Sequence, residues 1–152
     1  MSIRVGNAPV SWGVMEVEGW NGQKPYGVVL DEIQRAGYSG TELGPFGFLP
    51  TQPENLAREL RARNLEMVGA FVPVPLAESG KHESAFAEAV TVARLLADTK
   101  ARVINLADVM SDKRMAVAGR ASESRDGLTD AQWKQAAAIL TRIAHACHSL
   151  GL

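Results

Sequence analysis

The chain has 152 residues, of which 46% are hydrophobic and 22% are charged, and its formal net charge is -1 at pH 7. This length and composition fit one globular domain, and the charge balance provides no field that would recruit nucleic acid or an anionic membrane. The one cysteine, Cys147, excludes an internal disulfide framework, and without a signal-peptide pattern or a membrane-spanning run of ~20 apolar residues we expect a soluble, cytoplasmic protein.

Strands and helices alternate along the chain. The predicted strands are Ile3–Asn7, Ser39–Leu43, Leu65–Val72 and Arg102–Asp108. The predicted helices run from Pro25 to Ala36, from Pro53 to Asn64, from Glu83 to Ala97 and from Thr129 to Gly151. Four successive βα units predict a parallel sheet, and the absence of a clean polar and apolar alternation predicts that both of its faces are covered. Such a sheet is either doubly wound and flat or part of a (β/α)8 barrel.

Local signals define several boundaries. Pro25 suits the first position of a helix and Gly37 the position just after its end. Pro73 and Pro75 are expected to end the third strand. Thr129 and Gln132 have the spacing of a capping box at the start of the last helix.

The long connections all follow strands. They cover Ala8–Lys24, Gly44–Gln52, Pro73–His82 and Val109–Leu128, whereas the helix-to-strand connections are only one or two residues. The carboxyl ends of parallel strands are where α/β folds build their sites. The sequence therefore predicts a small-molecule site at that end.

Glu42 is the predicted catalytic residue, because a carboxylate within a short apolar strand is costly to bury unless it reaches a wet pocket. Its alternative is an ion pair with a nearby Lys or Arg. Trp12 and Phe46 are predicted to wall the site, with packing under a loop as the alternative for both. Asn105 and Asp108 are further candidates for substrate binding, but their odd spacing directs them to opposite faces of a strand.

Asp108 has the alternative role of a turn or cap residue. Arg120 lies in a polar loop with Lys113, Arg114 and Arg125, which is either an anion clamp or a solvated loop. The His145, Cys147 and His148 cluster is not predicted to bind a metal, because on a helix Cys147 faces the core while the two histidines share another face. No Gly-rich phosphate motif and no GxSxG elbow occurs.

The segments "NAPVSWGVME", "LDEIQRAGYSGTELGPFGFLP" and "GLTDAQWKQAAAIL" resemble the sugar isomerase/epimerase superfamily of xylose isomerase-like TIM barrels, and within it the inosose dehydratases. The resemblance covers the whole chain in order, with the SWG turn and the "GYSGTELGPFGFLP" block as its specific parts. It implies a divalent metal, Mn²⁺ or Co²⁺, and proton abstraction beside a carbonyl of a cyclic polyol or sugar. It also places Trp12 and Glu42 near the substrate end of strands one and two.

A complete barrel needs about 250 residues, so the resemblance implies the first four βα units, a single partial domain over residues 1–152. In the relatives the metal ligands lie on later strands, and no metal residue is assigned here. Three interpretations are open: a truncated enzyme sequence, a half that pairs with a second half or with itself, and an open sheet without catalysis. A non-catalytic binding or self-association module is the alternative to the enzyme, and the endonuclease branch of the superfamily is disfavoured by the near-neutral charge.

Overall fold

The computed structural model describes residues 3–15, 24–119 and 127–152. Its strands are β1 (Gly6–Asn7), β2 (Gly40–Glu42), β3 (Glu66–Val74) and β4 (Val103–Asp108). Its α-helices are α1 (Tyr26–Arg35), α2 (Pro53–Arg61), α3 (His82–Asp98), α4 (Asp112–Ala116) and α5 (Asp130–Ser149). Two 3₁₀ turns, Pro9–Trp12 and Ser79–Lys81, follow β1 and β3. Within the described residues, no helix is long and apolar enough to cross a membrane.

The four strands form one parallel sheet in the order β1-β2-β3-β4. A doubly wound sheet reverses its strand order at a switch point, whereas this order follows the sequence throughout. Because parallel crossovers are right-handed, sequential strands place their helices on one face of the sheet. The predicted fold class is confirmed: the chain consists of parallel (β/α) repeats with the arrangement of four units of a TIM barrel.

The hydrophobic core lies between the sheet and its helices. From β3 it includes Met67, Ala70, Val72 and Val74, all of which are buried. The other face of the sheet is open, and the side chains of Val68, Phe71 and Val103 on it are 42%, 37% and 48% exposed. The expectation that both faces are covered is therefore wrong for the described residues, because every helix that packs on the sheet lies on the core side.

Four helices end in the same way. A residue two or three positions beyond the last helical residue has a positive φ: 85° at Gly37, 54° at Asn64, 65° at Lys100 and 90° at Gly151. The next amide then donates a hydrogen bond to the carbonyl five residues earlier, as the pairs Tyr38–Ile33, Leu65–Leu60, Ala101–Leu96 and Leu152–Cys147 show. This is the Schellman arrangement, which satisfies carbonyls at the helix end and brings apolar residues together. It explains the short connections after helices.

Several predicted boundaries need correction. Pro25 is the cap that precedes α1, with ψ of 142°, and not its first helical residue. β3 continues through Pro73 because it pairs in register with β4, Pro73 lying opposite Ala107. β1 contains two residues instead of five, since β2 offers it only Gly40 and Thr41 as partners. The helix α4 was not predicted within the polar connection after β4.

Arg142 on α5 links this helix to the start of α3. The Arg142 guanidinium binds both carboxylate oxygens of Glu83, with Nη2 and Oε2 2.9 Å apart. It also lies 4.0 Å from the centroid of the Phe86 ring, a distance at which a cation is attracted to an aromatic face. The hydrogen bond to Arg142 lowers the pKa of Glu83. These contacts hold the N-terminal turn of α3 against the middle of α5.

We expect the substitution Lys100→Gly to stabilise the protein. A side chain at φ of 65° is strained and glycine is not, so the gain should be about 0.5–1 kcal/mol in the free energy of unfolding, measured by urea denaturation. The matched control is Gly37→Ala, where an added Cβ would meet no atom within 4 Å and only the backbone strain acts. That variant should lose about 1 kcal/mol, and a loss in both variants would contradict the interpretation.

Candidate functional site

The segment "NAPVSWG" folds into a turn whose start is bound by the Asn7 side chain. The Asn7 Oδ1 atom accepts hydrogen bonds from the Ala8 amide at 2.7 Å and from the Ser11 hydroxyl at 2.8 Å. Pro9 begins the 3₁₀ turn and is buried, and Gly13 ends it with φ of 80°. These two bonds hold the Asn7 side chain against the start of the turn, whose N-cap residue Ala8 has no side-chain cap of its own. The turn places Ala8 and Val10 over the carboxyl ends of the strands.

Trp12 packs beneath this turn. Its ring is half-buried against the hydrophobic core. The side chain of Glu32 on α1 binds Lys24 at 3.0 Å between Nζ and Oε2, and a hydrogen bond with Lys24, followed by one from Trp12, lowers the pKa of Glu32. Two residues of the first long connection, Trp12 and Lys24, are therefore held by the same carboxylate. Trp12 therefore has packing contacts with the core, and its part in substrate binding stays a prediction.

A β-bulge lies beside Glu42. Thr41 pairs with Met67 and Glu42 pairs with Gly69, so Val68 is an extra residue in β3. Thr41 and Leu43 are buried in the core, and Glu42 between them therefore points to the opposite, open face. Among the described residues the Glu42 carboxylate has no hydrogen-bond or ion-pair partner. The ion-pair alternative for Glu42 thus has no support in this part of the chain.

Asp108 ends β4 and supports the neighbouring connection. Its Oδ1 atom accepts a hydrogen bond from the Leu76 amide at 3.1 Å. Gln132, which closes the predicted capping box with Thr129, donates from Nε2 to the Ala77 carbonyl at 3.2 Å. Both ends of the connection between β4 and α5 are consequently fixed to two adjacent residues, Leu76 and Ala77. Asp108 has the cap-like role that its residue type favours.

A cavity of about 530 Å³ opens at the carboxyl ends of the strands, and we refer to it as the strand-end cavity. Its volume is in the range of small-molecule sites. Among the described residues that line it, the acidic groups are the carboxylates of Glu42 and Asp108. The remaining lining residues are Ala8, Val10, Met15, Gly44, Phe71, Pro73, Val109 and Met110.

Gly44 permits the close contact that shapes this cavity. Its φ is 67°, and a Cβ atom there would lie 3.1 Å from Cγ of the buried Pro9. The first and second strand-to-helix connections meet at this point. Two residues that the sequence predicted, Glu42 and Asp108, line the same cavity. Three further lining residues were not predicted: Val10, Met15 and Met110. The position of these apolar residues just after strands was the available signal.

The other predicted site residues lie elsewhere. Phe46 lines a second cavity of about 450 Å³, the loop–helix cavity, which lies between the segment after β2 and α3. The lining of that cavity is Leu43, Gly44, Pro45, Phe46, Phe71, Val72, Pro73, Ala87, Glu88, Thr91 and Val92. Asn105 is exposed on the open face, opposite Phe71. Arg120 lies outside the described residues.

The described residues contain no group of three His, Cys, Asp or Glu side chains that could hold a metal ion. The cluster near the C-terminal end of α5 follows the predicted helical geometry: Cys147 is buried, whereas His145 and His148 are exposed. Burial raises the pKa of the Cys147 thiol. The thiol therefore contributes to the core as a small apolar group.

No protein-family model matches the chain. The inosose dehydratase of Geobacillus kaustophilus is 26% identical over 152 residues, which are 99% of this chain and 48% of that protein. The rhizopine catabolism protein MocC of Rhizobium meliloti is 29% identical over 152 residues, all of this chain and 46% of that protein. The inosose dehydratase of Salmonella typhimurium is 34% identical over 70 residues, or 46% of this chain and 23% of that protein. The chain spans about half the length of the curated relatives that it matches over its whole extent.

Two solved structures share the fold. D-psicose 3-epimerase from Clostridium cellulolyticum H10, crystallised with D-tagatose, superposes with a TM-score of 0.64 at 12% identity, over 99% of this chain and 50% of that one. A xylose isomerase domain protein from Planctomyces limnophilus gives a TM-score of 0.59 at 11% identity, over 98% of this chain and 50% of that one. The resemblance to inosose dehydratases and xylose isomerase-like barrels is confirmed, and the fold is that of half of such a barrel.

We expect acid to release Trp12 from Glu32. Because the folded-state pKa of Glu32 is lowered, its contribution to stability is present above the pKa of an unfolded glutamate and is lost as the pH falls through the folded-state value. In a chain with Trp20→Phe and Trp133→Phe, the emission of Trp12 should shift in this acidic range. Glu32→Gln keeps an acceptor but cannot titrate, so its emission should stay constant, and a shift of equal size in that variant would refute the assignment.

Proposed function

We propose that this chain supplies half of the substrate site of an enzyme that acts beside a carbonyl group of a cyclic polyol or sugar. The observation that supports it most directly is the Glu42 carboxylate, which lines the strand-end cavity without a partner among the described residues. The names of the similar proteins, inosose dehydratase and D-psicose 3-epimerase, point to the same substrate class. We propose residues 1–152 as a single partial domain of that enzyme, with a cytoplasmic location.

Glu42 is the group that does the chemistry in this proposal. A carboxylate at the edge of an apolar cavity accepts a hydrogen bond from a substrate hydroxyl, and it is also able to take the proton from the carbon beside the carbonyl. Loss of hydroxide from the neighbouring carbon would then complete a dehydration. Return of a proton to the opposite face of the same carbon would complete an epimerisation, and its return to the former carbonyl carbon, with the hydroxyl proton passing to the other oxygen, would complete an isomerisation. In each of these reactions the Glu42 carboxylate would act as the proton acceptor, and the described residues do not favour one reaction over another.

The remaining residues orient the substrate. Asp108 presents a carboxylate that the Leu76 amide holds in place, and Phe71 and Met110 provide apolar walls. A polyol ring has apolar C–H faces and a polar rim, which match such a combination. Asn105, Trp12, Phe46 and Arg120 stay predictions for substrate binding.

A divalent metal, Mn²⁺ or Co²⁺, belongs to the proposal only through the resemblance. The described residues do not fit such a site, because the strand-end cavity contributes two carboxylates and one of them, Asp108, already accepts the Leu76 amide. Metal sites of this kind need more oxygen or nitrogen ligands than two. We therefore assign the ligands to parts of the enzyme outside these residues and derive no step through the metal.

Glu42→Gln tests the proposal by binding and by turnover. The variant keeps the shape of the side chain but removes its charge, and a hydrogen bond to a charged group is worth about 1.5–3 kcal/mol. Inosose affinity, measured by calorimetry, should fall by about one to two orders of magnitude, and any dehydration that the assembled protein catalyses should fall by ~10²–10⁴. Glu54→Gln, an exposed carboxylate on α2, is the matched control. Unchanged inosose affinity in Glu42→Gln would refute the assignment.

The second candidate function is a self-association module without catalysis. It is favoured by the open face of the sheet, where Val68 and Val103 remain 42% and 48% exposed. Exposed apolar side chains that share one sheet face favour an interface, and among the described strands β1 and β4 are the unpaired edges. The covering surface would come from a second copy of the chain or from a further set of βα units.

Light scattering of the purified chain tests whether the open face mediates self-association. We expect a mass above that of the monomer, and Val68→Glu together with Val103→Glu should reduce it because a buried unpaired charge is costly. Val28→Glu is the control, since Val28 on α1 is 41% exposed but lies away from the sheet face. A well-folded wild-type monomer would argue against both the self-association module and a half-barrel that needs a partner.

A further inference from the structure

The loop–helix cavity is comparable in size to the strand-end cavity but differs in its surroundings. It measures about 450 Å³ and lies between the Gly44–Phe46 segment and the exposed side of α3. Gly44, Phe71 and Pro73 line both cavities. The two cavities therefore adjoin at the carboxyl end of β3, with those three residues as the common wall.

Two phenylalanine side chains remain accessible at this cavity. Phe46 is 50% exposed and Phe71 is 37% exposed, although both line a concave, mainly apolar surface. Other aromatic residues near the strand ends are better covered, as the half-buried Phe48 and Trp12 show. Exposed aromatic rings at a cavity favour a ligand that is itself apolar or is a cation attracted to the ring faces.

The charges at the cavity are of one sign. Glu88 is exposed on α3 and lines the cavity, and among the described residues its carboxylate has no ion-pair or hydrogen-bond partner. The Thr91 hydroxyl donates to the Ala87 carbonyl at 2.8 Å and is occupied. No Lys, Arg or His is among the described residues that line the cavity. The cavity thus combines apolar walls with one unpaired negative charge.

We propose that the loop–helix cavity binds an organic cation, an ammonium group carried on a small apolar body. The apolar body would occupy the space between Phe46, Val92 and Pro73, and the ammonium group would pair with Glu88. Cation–π attraction to the phenylalanine faces acts in the same direction as the carboxylate. Neither Glu42 nor the proposed reaction is needed for this binding, so the inference extends beyond the proposed function and stands independently of it.

Three probes of similar size test the proposal: 4-fluorobenzylammonium, 4-fluorobenzyl alcohol and 4-fluorobenzoate, titrated against the whole chain and followed by ¹⁹F NMR. We expect the ammonium probe to bind on the order of tenfold more tightly than the alcohol, and the benzoate to bind most weakly. Glu88→Gln should bring the ammonium and alcohol affinities together. Glu54→Gln, which removes an equal charge from the exposed side of α2, should preserve the difference.

Three further variants locate the binding. Thr91→Trp should fill the cavity and abolish binding of all three probes. Phe46→Ala should lower the affinity for the ammonium probe severalfold. Circular dichroism and the thermal midpoint check that the Phe46→Ala protein remains folded. Glu42→Gln should leave the ammonium affinity unchanged. Loss of the preference in Glu42→Gln would place the cation in the strand-end cavity, and loss in Val103→Glu with retention in Thr91→Trp would place it on the open sheet face. Either result, or benzoate binding as tightly as the ammonium probe, would overturn the proposal.

Discussion

The hydrogen bond that ends four of the helices determines where a site can form. In each case one residue with positive φ reverses the chain, and the following amide binds a carbonyl five residues earlier. For α1, α2 and α3 the next strand begins within a few residues of that turn. The amino ends of the strands are thus closed by short, regular turns, and every long connection lies at the opposite end. The strand-end cavity exists because all of the irregular chain is gathered there.

The two carboxylates at that end, Asp108 and Glu42, differ in their hydrogen bonding, and we assign their roles from this difference. Asp108 accepts the Leu76 amide and so fixes one connection against another. Glu42 follows the point at which Val68 is inserted into β3, and its side chain leaves the buried row of Thr41 and Leu43 for the open face. Bulges beside sites commonly redirect a side chain in this way. A side chain whose oxygens have no partner in the described fold is the one that remains available for a ligand.

The sequence predicted those features of the fold that depend on residues close to one another along the chain. The helical stripes located α1, α3 and α5 within about two residues, Gly37 marked a helix end, and the Thr129–Gln132 capping box formed as expected. The errors depend on distant partners. Pro73 stays within β3 because β4 pairs with it, and β1 is short because β2 offers only Gly40 and Thr41. Glu42 was recognisable as a carboxylate in an apolar strand, whereas the contact of Trp12 with Glu32 on α1 and the location of Phe46 in a second cavity follow from tertiary packing.

The open face and the strand-end cavity pose one physical problem, because Phe71 belongs to both. A surface that covers Val68 and Val103 must also approach Phe71 and thereby complete the wall opposite Glu42. Under the proposed function, a ligand that binds only the completed cavity stabilises the assembly by its binding free energy, about 2.7 kcal/mol at a hundredfold excess over its Kd. Assembly and substrate binding would then be thermodynamically linked, each favouring the other. On this argument, the Glu42 carboxylate and the apolar sheet face, which the described residues leave without a partner and without a cover, are two parts of the same site.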